Sequence, residues 1–291
     1  MHSGRFLRGL RSAAPALLVP VFCSAQGGTS SHAPARWPEE AGLLSANALL
    51  SGVAAGLVQS ARGGSFADGF TRGAAGGVGV YAGKRIAAVR WSGAGLLGRQ
   101  VASVGSSVVW NAGAGRPSFE QVAMPVGPVR FYVRTSGPGP RVRARVDAVA
   151  LASTAYAASR PELRWDARRS LSDGVMVFRA PEHELRLAGE DAWALAYPGT
   201  IILGAGAQHP ENAVYIASHE RVHIAQADQI YLALGRPLQD AAASRSGAAR
   251  WLSRWVDVDV TVAAVTAAAW LAGTTPGARP WEVEATYLSK P

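Results

Sequence analysis

Three side chains in one short stretch can do chemistry together. His219, Glu220 and His223 stand in the pattern H-E-x-x-H within residues 215–226, an apolar run that opens just after Pro210 and meets no helix breaker until Gly235. On a helix, residues four apart share a face, so His219 and His223 can offer two imidazole nitrogens to one ion. Glu220 lies about 100° round from His219, beside that ion rather than on it, which suits a base taking a proton from metal-bound water. With 6 His and 11 Glu in 291 residues, chance would produce the pattern about 0.005 times per chain. Accident is therefore a poor explanation.

A catalytic zinc needs three protein ligands and an open position for water. The continuation x-x-G-x-x-H is excluded, because the two positions concerned are Gln226 and Gln229. No histidine follows the motif, so a downstream third ligand must be a carboxylate: Asp228, Asp240, Asp257, Asp259, Glu282 or Glu284. His183 and His209, upstream, read as surface histidines.

Near the C-terminus, Trp281-Glu282-Val283-Glu284-Ala285 resembles the E-x-x-A-D half of a gluzincin zinc site, as in the CAAX-protease-like and related envelope metallopeptidases. The resemblance covers residues 195–291. Aligned on Ala285, it implies Glu282 as the third zinc ligand; Glu284, about 200° away on a helix, cannot face the same ion. It further implies Zn2+ as cofactor, a peptide or protein substrate, and peptide-bond hydrolysis by metal-activated water with Glu220 as general base. The family has Asp after the alanine. This chain has Thr286, whose hydroxyl can hydrogen-bond to a ligand histidine without charge. Tyr287 or Tyr215 is the candidate for oxyanion help.

The elements that must position these residues are expected to form an α+β chain. Residues 41–115 read as a Gly/Ala-rich helical region. Ala48, Gly52 and Gly56, then Gly69, Gly73 and Gly77, recur every four residues and form grooves that admit a neighbouring helix closely. Residues 116–195 read as a small, mostly antiparallel sheet. There Val129, Phe131 and Val133 alternate with Arg130, Tyr132 and Arg134, and a Gly/Pro turn leads to Arg141, Arg143 and Arg145 alternating with apolar residues. That is a hairpin with one apolar and one basic face. A short helix is expected over 148–158, and Asp173-Gly174 marks a turn between strands at 163–171 and 175–179.

Residues 196–291 read as the zincin-like metallopeptidase region. The run 199–203 is a strand just before the motif, either with a free edge for an extended peptide or as a plain core strand. After Gly235-Arg236-Pro237 comes a loop, then one helix over 251–272 with Asp257 and Asp259 near its N-terminus, and a Gly-rich turn at 273–277 that returns Glu282.

Composition sets the surroundings. Apolar residues make up 48% and charged residues 17%, which excludes a disordered chain. Residues 1–25 carry Arg5, Arg8 and Arg11 before an apolar core and small residues up to Ala25, the pattern of a cleaved secretory signal. Residues 26–40 then read as a flexible leader, and the expected location is periplasmic or secreted. The one cysteine, Cys23, would leave with the signal. The net charge of +9 comes largely from 27 arginines. No nucleic-acid motif accompanies them, so no nucleic-acid partner is expected, whereas membrane-surface association through the Gly-rich helices or the Arg-rich face is possible. The rival to peptide hydrolysis is a non-catalytic envelope protein with a structural or degenerate zinc site.

Overall fold

The computed structural model describes residues 37–138, 141–183, 185–187, 190–271 and 279–290. The expected signal, most of the leader and the turn at 273–277 lie outside them. Glycine spacing decides how the first helices meet. The region expected to be helical forms α1 (Trp37–Ala61), α2 (Phe66–Ala87) and α3 (Ala94–Gly113). A Cβ on Gly77 would stand 2.4 Å from the Asn47 carbonyl oxygen, and one on Gly83 would stand 2.2 Å from the Ala102 backbone nitrogen. Any side chain there would force the helices apart, so the repeat read from sequence is a backbone-to-backbone contact. Residues 38–61 have a mean hydropathy of 1.7 and are long and apolar enough to cross a membrane by length and composition, with 28% of that window buried. Leu49, Leu50, Val53 and Leu57 are exposed on α1.

Strands β1 (Gln121–Val126), β2 (Val129–Arg134) and β3 (Val142–Asp147) follow as an antiparallel meander. Its faces are inverted relative to expectation. Arg130 and Tyr132 are buried, while Phe131, on the supposedly apolar face, is exposed. The reason is that the inward arginine finds carboxylates from three directions: Asp147 and Asp228 at 3.0 Å each and Asp257 at 3.2 Å. A buried charge is tolerated when it is paired and hydrogen-bonded, and alternation alone cannot reveal those distant partners.

Asp147 caps α4 (Ala148–Ala158), accepting from the Val149 and Ala150 backbone N–H groups. Next come β4 (Arg164–Trp165) and α5 (Ala167–Asp173). The strand expected over 163–171 is mostly this helix, because Asp166 caps it at the Arg169 N–H. Then follow β5 (Met176–Arg179), β6 (Leu185–Leu187), β7 (Glu190–Ala192), β8 (Ala194–Tyr197) and β9 (Thr200–Leu203). The second sheet has the order β4-β5-β9-β8. β9 is thus an interior strand, parallel to β5 and antiparallel to β8, and has no free edge for a peptide. All four of its residues are buried. The division expected at 195/196 falls inside β8, and the sheet is mixed rather than antiparallel.

The motif helix α6 (Pro210–Ile230) passes through a π-helical turn (Tyr231–Gly235) directly into α7 (Arg236–Arg245). No loop follows Gly235: the helix continues through Pro237, with the Arg236 N–H reaching back to the Tyr231 carbonyl in the π-helical turn. Nor is 251–272 one helix. α8 (Gly247–Leu252) ends early, β10 (Val256–Asp257) joins the first sheet parallel to β3, α9 (Thr261–Leu271) follows, and α10 (Pro280–Ser289) closes the described chain. The arrangement is α+β, with helices dominant and, among the described residues, two four-stranded sheets and the two-stranded pair β6-β7.

Asp259 does serve a helix N-terminus: its Oδ1 accepts from the Thr261 N–H at 3.1 Å and the Thr261 hydroxyl at 2.8 Å. Burial, with the Asp147 charge, pushes its carboxyl up to about 7 from an ordinary 3.8. A carboxyl raised on folding favours the fold below its unfolded pKa, and that contribution is lost as pH climbs through the folded value. Asp259→Asn, which keeps an accepting oxygen, is expected to flatten the fall in stability between pH 4 and 7, read by urea midpoints. An unchanged pH profile would refute this.

Candidate metal centre

The motif helix can carry polar ligands because it is packed on all sides. Ile216, Val222, Ile224, Ala225 and Ala227 are buried around it, and α2, α3, β8 and α10 all contact it. His219, Glu220 and His223 therefore sit in the protein interior with at most 1% of their surface exposed. α10 brings Glu282, 4% exposed, to the same place.

Three donor atoms converge there. His219 Nε2 and His223 Nε2 are 2.9 Å apart, and Glu282 Oε2 lies 3.2 Å from the first and 3.3 Å from the second. Lone pairs crowded this closely away from water require a cation among them, either a proton or a metal ion. A tetrahedral zinc with ligands at about 2.0–2.1 Å sets its donor atoms about 3.3 Å apart. The residues present fit such an ion, and the His219, His223 and Glu282 group can hold one. The electrostatics agree. Burial raises the Glu282 carboxyl, but the His223 and His219 rings outweigh it and bring it down to about 2. Burial pulls His223 down, yet Glu282, Glu220 and Gln226 together lift it to about 9. His219 is lowered, by burial and by its neighbour His223. The pocket thus demands positive charge and gives it one place at a time.

Behind His223 runs a polar chain that motif reading missed. His223 Nδ1 is 2.7 Å from Gln226 Oε1. Gln226 Nε2 donates to Glu284 Oε2 at 2.7 Å, and Lys84 Nζ and Asn47 Nδ2 donate to the same carboxylate at 2.8 and 2.6 Å. An amide oxygen accepts, so one proton stays on Nδ1, and Nε2 is the nitrogen turned toward Glu282, where an ion would replace the second proton. Glu284 is excluded as a ligand by this engagement, as its position two residues from Glu282 implies. The chain supplies the buried charge that Thr286 lacks. Lys84, on a glycine-rich helix, and Asn47, within an uncharged run, were the signal: a polar group in such a place has a partner to satisfy.

Other candidates lie elsewhere. The Tyr287 hydroxyl donates to Glu40 Oε2 at 3.2 Å, and Tyr287 stands about 140° round the helix from Glu282. It is not brought to the donor atoms. Tyr215, one turn before His219, has its ring centroid 6.2 Å from the His219 ring. Asp228 pairs with Arg99 at 2.7 Å and with Arg130. Asp257 and Asp240 pair with Arg236 at 3.0 and 2.7 Å. His183 and His209 are exposed.

No protein-family model matches the chain, and no curated protein or solved structure shows a match to it.

Proposed function

We propose that the chain is a zincin-like, zinc-dependent peptidase that hydrolyses peptide bonds in a peptide or protein substrate. The observation that carries the reading is the buried convergence of His219 Nε2, His223 Nε2 and Glu282 Oε2 within 3.3 Å of one another, one residue from Glu220. His219, His223 and Glu282 would hold the ion, which when bound would acidify a water and polarise a carbonyl. Glu220 takes the proton from the attacking water and returns it to the leaving amine. Gln226 holds the His223 ring in the tautomer that leaves Nε2 for the ion. Tyr215, beside the His219 ring, is the hydroxyl offered to the developing oxyanion. The apolar segment that follows Arg5, Arg8 and Arg11 supports a place for this activity in the cell envelope or outside the cell.

Metal content by elemental analysis tests the ligand set. Wild type is expected to carry one zinc per chain, Glu282→Ala to lose it, and Glu284→Ala to retain it with weaker affinity, about 10–100-fold, because Gln226 loses its anchor. Zinc retained in Glu282→Ala, or no zinc in wild type after reconstitution, would end the proposal.

A second reading has an observation of its own. Every proposed ligand is at most 4% exposed, as in closed structural zinc sites. On that reading the site binds zinc and hydrolyses nothing.

A further inference from the structure

The inverted hairpin creates a second site, lined by none of the metal-centre residues. The outer ends of β2 and β3, the start of α7 and the segments after α1 and α3 enclose a cavity of about 360 Å3. Six guanidinium groups line it, those of Arg62, Arg116, Arg134, Arg143, Arg145 and Arg236, against the single lining carboxylate of Asp240. That carboxylate is already engaged by Arg236 at 2.7 Å and by the Trp110 indole N–H at 3.2 Å. Among the described residues, Arg62, Arg116, Arg134 and Arg143 have no carboxylate within ion-pair distance.

A solvated basic face would let such side chains spread into water. Here they are held. Arg116 lies over the Trp110 ring at 4.3 Å, and Arg145 over the Tyr132 ring at 4.8 Å, with Arg236 5.2 Å from the same ring. Stacking on aromatic faces fixes the plane of each fork before any ligand arrives. Several N–H groups are buried without an acceptor among the described residues: Nε and Nη2 of Arg116, and Nε of Arg145 and of Arg236. Burial lowers the Arg116 pKa; attraction to Asp240 and Glu120 offsets part of that, and weaker repulsion from Arg236 and Arg62 adds to the lowering. Concentrated, partly desolvated and unpaired positive charge is costly unless an anion completes it.

We propose that this cavity is a binding site for a phosphoryl-bearing anion, separate from the metal centre. Planar forks converging from four segments of chain match the several terminal oxygens of phosphate groups better than a single carboxylate, which one fork already saturates. The volume lies in the range of small-ligand pockets, about 300–1,000 Å3. The phosphoryl group can belong to a soluble ligand or to a lipid headgroup, and the two are separable by experiment.

The test is calorimetric titration of the full chain with pyrophosphate at low and high salt, beside flotation with phosphatidylcholine vesicles made with and without phosphatidic acid. Arg143→Gln, at an exposed position, and Arg116→Lys, which keeps charge but loses the fork, are measured in parallel. Salt-sensitive binding of pyrophosphate, weakened about tenfold in each variant, supports the site with a soluble ligand. Binding only to phosphatidic acid vesicles, weakened likewise, supports it with a lipid headgroup. The proposal is overturned if wild type binds neither probe, or if both variants bind as wild type does. It is also overturned if a chelator abolishes binding, since the anion would then sit on the metal.

Discussion

Glu220→Gln is expected to keep its zinc and to lose hydrolysis of a casein-type substrate by about 10²–10⁴-fold. The amide has nearly the shape of the carboxylate but cannot accept and return a proton, so the step that needs a base fails while the ligands stay in place. Glu220 is wholly buried in the wild type, and the near-isosteric amide fills the same space, so the variant is expected to fold, with the His223 ring losing one of the charges that lift its pKa. The pairing of readouts separates the two readings of the site. Zinc retained with activity lost supports the peptidase. Zinc retained in both proteins with no wild-type activity on casein, or with activity unchanged by the substitution, points to a closed structural site instead.

The largest loss of stability is expected at Arg130, far from the chemistry. Its guanidinium is 2% exposed and meets three carboxylates, and the Tyr231 ring lies 4.2 Å from it. Arg130→Met keeps much of the volume and removes the charge. Asp228 retains Arg99 and Asp257 retains Arg236, but Asp147 loses its ion-pair partner among the described residues while still buried. Removing one member of a buried charge network costs about 3–5 kcal/mol, because the others remain uncompensated. Urea unfolding should show this as a shifted midpoint. Arg143→Gln, exposed and unpaired, should stay within about 0.5 kcal/mol of wild type. A cost below about 1 kcal/mol for Arg130→Met would mean that the network contributes little.

The same substitution bears on the metal centre. Asp228 lies on α6, five residues beyond His223, and its partners Arg99 and Arg130 tie that helix to α3 and to the first sheet. Loss of Arg130 is therefore expected to loosen the motif helix at its C-terminal half. Zinc affinity measured below the unfolding transition is the readout.

Local pattern was enough wherever the deciding interactions lie within a few residues. The His219, Glu220 and His223 spacing specifies a shared helix face. The period-four glycines specify close helix contacts, and α4 appears over the residues where a short helix is expected. The alternation at residues 129–134 and 141–145 marks the hairpin, since a strand presents alternate residues to opposite faces. That Glu282 rather than Glu284 stands beside His219 and His223 was legible as well, but only through the resemblance, because spacing alone allows several carboxylates.

What the sequence by itself determined is therefore the chemistry available and the periods of the elements that carry it. Which face of the hairpin turns inward, that β9 lies between two strands, and that Pro237 continues a helix were settled only in the tertiary structure. So was the chain from His223 through Gln226 and Glu284 to Lys84 and Asn47. Each depends on groups far apart along the chain, as far as 237 residues between Asn47 and Glu284. A buried charge is unfavourable until its partner arrives, and no local pattern records where that partner comes from.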